Sequence, residues 1–139
     1  MPGLVALRRV CQHANVTLRQ IHADLAWVGV AANGAVGIWA LAAHRRPSLR
    51  GTALWRATVV AELAIFVQVA LGVALVAAKD VKVAEFHAFY GFVAVATVGI
   101  VYSYRQQVAA HRYLLYGLGG LFLMGLALRA IAISPVPVP

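Results

Sequence analysis

Apolar residues come along this chain in four long blocks separated by short polar stretches. Residues 24–43 are uncharged from Leu25 onward, residues 57–78 are interrupted by Glu62 and Gln68, residues 86–104 carry His87 at their head, and residues 113–133 hold one charge, Arg129, near their end. The hydrocarbon core of a bilayer takes about 20 helical residues. Each block is that long, and each is too apolar all round for an amphipathic surface helix. The pattern therefore predicts four transmembrane helices. The intervening stretches are short, which forces successive helices to run antiparallel. The expected fold is all-α: an integral membrane up-down-up-down four-helix bundle, a single domain over 1–139, built from two weakly repeated helix pairs.

The flanks read differently. Residues 1–20 scatter Arg8, Arg9 and Arg19 among Leu and Val, with no basic stretch leading into an apolar run and a small-residue cleavage site. No cleaved leader is expected, and the segment reads either as a short surface helix on the headgroups or as disorder. Residues 134–139 alternate proline, which lacks the amide donor, so an extended tail is expected there.

Composition agrees with the hydropathy pattern. Of the 139 residues, 63% are hydrophobic and only 12% charged, with a mean hydropathy of +0.82, whereas a soluble domain is typically about a quarter charged. The net charge of +8 would point to nucleic acid in a soluble protein, but here the basic residues lie mostly between the apolar blocks. They bear on topology, and no nucleic-acid partner is expected. Counted by side, Arg8, Arg9, Arg19, Lys79, Lys82 and Arg129 balance Arg45, Arg46, Arg50, Arg56, Arg105 and Arg112. The four arginines packed into the first connection, against Lys79 and Lys82 partly neutralised by Asp80 and Glu85, favour an inside location for that connection and both termini outside.

Two histidines carry the candidate chemistry. His22 opens the first span and His87 the third, and in an up-down-up-down bundle those two helices are parallel, so both imidazoles lie at one membrane face. On the helical face below them follow Ala26, Gly29 and Asn33 in one case and Gly91, Ala94 and Val98 in the other. Opposed small-residue faces would leave a slot for a flat macrocycle with an imidazole at each wall, which is what a bis-histidine haem b needs. The plainer alternative is headgroup-level histidines above ordinary close helix packing. His13, His44 and His111 lie outside the blocks and read as solvated or headgroup-facing.

The stretch Gln68-Val-Ala-Leu-Gly72-Val-Ala-Leu-Val76, then a charged turn and Phe86-His87, resembles the Q-x-x-x-G-x-x-x-V, loop, H pattern in the halves of heme A synthase, with His22 as the second histidine. The resemblance covers about residues 20–105. It implies a half-length, four-helix member with haem b between His22 and His87 on the outer side of a prokaryotic plasma membrane, tied to respiratory-chain biogenesis. Arg19 and Ala84 stand three residues before the two histidines, where the catalytic half of that family has glutamate, and the family's paired loop cysteines are absent. The resemblance thus supports haem binding more than methyl hydroxylation, and no catalytic residue is assigned.

The remaining polar residues fit around that picture. Arg129 sits near the histidine face, either snorkelling to headgroups or meeting a haem propionate, with Lys79 and Lys82 close to the same end. Gln68, near mid-membrane, needs an interhelical partner such as Asn33 or a backbone carbonyl, and becomes a haem-site contact if the resemblance holds. Glu62 is expected in an ion pair with Arg56 or Arg112. Gly117, Gly119, Gly120 and Gly125 read as close helix contacts, and Tyr102, Tyr104, Tyr113 and Tyr116 with Trp55 as an aromatic belt. Two functions compete: a haem-binding electron-transfer or haem-handling protein, and a non-catalytic accessory subunit or assembly factor of a larger membrane complex. The bilayer is the first partner expected, with a homodimer or larger complex as further partners. A transporter is disfavoured because the spans lack paired mid-membrane breaks.

Overall fold

The computed structural model describes residues 2–78 and 83–134, with backbone alone at 2–12 and 14–16. Four helices account for nearly all of them: α1 (Pro2–Arg45), α2 (Thr52–Ala77), α3 (Glu85–Tyr104) and α4 (Arg112–Ala132), with single 3₁₀ turns at Pro47–Leu49 and Ala109–His111. Among the described residues there is no strand. Four helical stretches are long and apolar enough to cross a membrane: Thr17–Arg45, Thr52–Ala77, Glu85–Tyr104 and Ala109–Ala132. The all-α four-helix membrane bundle is therefore what the chain forms.

The first helix departs from expectation. It is one helix of 44 residues, Pro2–Arg45, and the stretch of it long and apolar enough to span a membrane is Thr17–Arg45 among the described residues. The cause is in the sequence, since between Leu4 and Val28 no proline or glycine interrupts the backbone. Thr17 folds its hydroxyl back onto the His13 carbonyl at 2.9 Å, which removes its competition with the helix. His22 consequently lies within a continuous helix. The expected extended tail beyond Ser134, together with Lys79 and Lys82, lies outside the described residues.

The bundle closes as a ring in which α1 packs most extensively on α4 and then on α2, α3 packs on α4, and α2 touches α3 least. Its interior mixes small side chains, Ala40, Ala43, Ala61 and Ala94 among them, with Leu54, Ile65, Val98 and Leu123, while Trp27, Ile38, Phe86 and Phe92 face outward. An apolar exterior with small residues at the helix contacts is how membrane helices pack, because lipid gives no hydrophobic drive between them and close backbone contact must serve instead. The α1–α4 seam shows this most sharply. A Cβ placed on Gly120 would lie 2.9 Å from the Asn33 carbonyl oxygen and 3.1 Å from Gly37 Cα, and one on Gly37 would lie 3.0 Å from the Leu121 nitrogen. Gly119 meets Val101 of α3 in the same way, whereas Gly125 has nothing within 4 Å, so it is not one of the contact glycines.

The far end of α1 is closed by Arg50. Its Nε donates to the Ala43 carbonyl and its Nη2 to the His44 carbonyl, both at 2.8 Å, which satisfies orphan carbonyls and places a cation at the negative end of the helix. Trp39 Nε1 donates to the Leu49 carbonyl at 3.2 Å and ties the same turn down. Asn33, 1% exposed, donates to the Gly29 and Ala61 carbonyls and joins α1 to α2. It is not the partner of Gln68.

Candidate functional site

The two histidines meet. Diagonal in the ring, α1 and α3 run parallel and bring His22 and His87 to one end of the bundle, with ring centroids 6.1 Å apart and ring planes 57° apart. Both side chains are half-buried.

His87 stands in the first turn of α3, where its amide donates to the Ala84 carbonyl at 2.9 Å. Its Nδ1 is 3.0 Å from the Ala130 carbonyl oxygen and 3.0 Å from Ser134 Oγ, and the Ser134 hydroxyl donates to the same carbonyl at 2.9 Å. A carbonyl only accepts, so Nδ1 is the nitrogen that donates, which in a neutral imidazole leaves Nε2 as the acceptor. Histidines that bind metals are oriented in this way, with the second nitrogen donating to a carbonyl or carboxylate.

His22 is held from α2. The Gln68 amide donates to the His22 carbonyl at 2.9 Å and stands 3.3 Å from ring Nε2. Nδ1 of His22 and Oε1 of Gln68 are buried with no hydrogen-bond partner, and each such atom costs about 1–3 kcal/mol. Gly72, one turn further along α2, gives the ring its room: a Cβ there would lie 3.2 Å from His22 Cε1. The four residues His22, Gln68, Gly72 and His87 thus form one cluster, and the interhelical partner of Gln68 is a backbone carbonyl.

Other expectations are corrected. The slot below the histidines does not run down the bundle, because Gly29 faces Ile65 and Gly91 faces Val69, while Ala94 and Val98 belong to a packed core with Ile65, Leu123 and Leu126. Any ligand of the pair lies level with the rings. Arg129 is exposed, on the turn of α4 that carries Ala130, and so lies near the cluster in sequence but outside it. Glu62 is buried while Arg56 and Arg112 are exposed, and among the described residues it forms no ion pair with either.

Sequence reasoning missed Ser134 and the Ala130 carbonyl, whose link to His87 spans more than 40 residues and has no local signal. His44 and His111, read from sequence as solvated or headgroup-facing, stand with their rings 6.1 Å apart at the opposite end. Tyr116, expected in the belt, is buried against Trp55 with centroids 5.6 Å apart.

Among the described residues no three His, Cys, Asp or Glu side chains group to hold a bare metal ion. Two imidazoles are sufficient for a macrocycle that brings its own equatorial nitrogens. Comparison with family models, with curated proteins and with solved structures finds no match to this chain.

Proposed function

We propose that the protein binds one haem b between His22 and His87 and serves electron transfer or haem handling in the membrane, in the manner of a half-length heme A synthase-like bundle. The single observation that carries this reading is the meeting of two imidazoles at one end of the bundle: His87 has its Nδ1 committed to Ala130 and Ser134, leaving Nε2 free, and 6.1 Å away stands the half-buried His22 ring, whose Nε2 faces the Gln68 amide. Binding a metal through His22 Nε2 would require Gln68 to give up that contact. The haem would supply one-electron chemistry; the protein supplies orientation, a low dielectric and the tuning of its ligands.

Three further features support the reading. The contact between α2 and α3 is slight, and a flat ligand would enter between those two helices. Gln68, Gly72 and the two histidines, which meet in space, are the residues that carry the heme A synthase resemblance. Arg129, exposed on the last turns of α4, would serve in this reading as a cation for a propionate, with the histidine end outside.

The test is a reduced-minus-oxidised absorbance spectrum of the protein purified from haem-replete cells. A haem b difference band is expected. Folded protein without such a band overturns the proposal, and if that protein brings other subunits down with it, the accessory-subunit reading takes its place.

A further inference from the structure

The opposite end of the bundle carries a polar assembly that the histidine pair does not use. Trp55 at the start of α2, Arg105 at the end of α3, Gln106 and Ala109 in the connection, and Arg112 and Tyr116 of α4 line a pocket of about 410 Å3. Both guanidinium groups are held by aromatic rings. Arg105 lies 4.9 Å from the Trp55 ring centre and 3.9 Å from that of Tyr102, and donates to the Tyr102 hydroxyl at 3.2 Å; Arg112 lies 5.1 Å from that of Tyr113. Stacking occupies the face of a guanidinium and leaves edge N–H donors free, the geometry that takes oxyanions.

The charge balance and depth narrow the ligand. Two arginines and no acidic residue line the pocket, so it carries a positive excess. The lining residues lie at the ends of the spans Thr52–Ala77, Glu85–Tyr104 and Ala109–Ala132, the level of lipid phosphates. Basic pockets between helix ends at this level suit anionic headgroups. A headgroup that carries its own ammonium would bring a cation against two arginines and is disfavoured.

We propose that this pocket binds the phosphate of an anionic phospholipid of the phosphatidylglycerol type, held between Arg105 and Arg112 against Trp55. Trp55 reports the occupant directly. In a Trp27→Phe, Trp39→Phe protein, where Trp55 is the remaining indole, brominated phosphatidylglycerol diluted into phosphatidylcholine bilayers should quench fluorescence several-fold more than the same fraction of brominated phosphatidylcholine. Arg105→Gln and Arg112→Gln should each bring that ratio close to one, and Arg45→Gln with Arg46→Gln should leave it unchanged. A second readout uses the otherwise unaltered chain: native mass spectrometry after delipidation should find retained phosphatidylglycerol, lost in Arg112→Gln.

No preference between the two lipids overturns the site. So does a preference that survives both arginine substitutions, or one that Arg45→Gln with Arg46→Gln abolishes equally, since a diffuse surface potential then accounts for it. A Trp55 response to inorganic phosphate in pure phosphatidylcholine bilayers assigns the pocket to the free ion and overturns the lipid assignment.

Discussion

His87 and His22 are prepared in opposite ways. The first has every hydrogen-bonding atom but Nε2 committed, while the second is left with a buried orphan. Losing the Ser134 hydroxyl leaves the Ala130 carbonyl in place, so Ser134→Ala is expected to retain haem but with affinity about 10-fold weaker, as partners of ligating histidines generally show; haem titration of the stripped protein measures it. Arg129→Gln is expected to keep the six-coordinate spectrum and lower the reduction potential, because removing a nearby cation stabilises the ferric form; a potentiometric titration gives the sign. Pairing His22 with His87 was legible from sequence because parallel spans place their leading ends at one face. The tautomer of His87 was not legible, since it depends on a carbonyl more than 40 residues away.

The seam between α1 and α4 is set by glycines whose missing side chains are replaced by backbone of the other helix. Gly120→Ala would push a methyl group against the Asn33 carbonyl and Gly37 Cα, atoms that cannot rotate away. A loss of about 1–3 kcal/mol is expected, read as an earlier transition in detergent unfolding. Gly125→Ala, with open space around it, should stay within about 0.5 kcal/mol. The four spans were visible in hydropathy because lipid demands an apolar exterior from each helix. The continuation of α1 back to Pro2 was not inferred, although a stretch without proline or glycine permits it. The long slot also failed: glycine faces read as open are filled by Ile65 and Val69 from α2, which spacing on a single helix does not reveal.

Across the whole molecule the two ends are chemically distinct. One holds His22 and His87 with Gln68, and the other holds arginines stacked on tryptophan and tyrosine beside His44 and His111. If the Arg-rich end faces the cytoplasm, alkaline phosphatase fused after Ser134 should be active and the same reporter inserted between residues 45 and 50 inactive; the reverse result inverts the orientation and puts the histidine end inside.

The central claim is that two histidines from α1 and α3 ligate one iron. The most direct test is haem content per chain, with the low-spin spectrum, in wild type and in four single variants purified alike. The expected result is one haem per chain in wild type, His44→Ala and His111→Ala, and loss of the six-coordinate form in both His22→Ala and His87→Ala. An unchanged haem spectrum in both of the latter variants would contradict it.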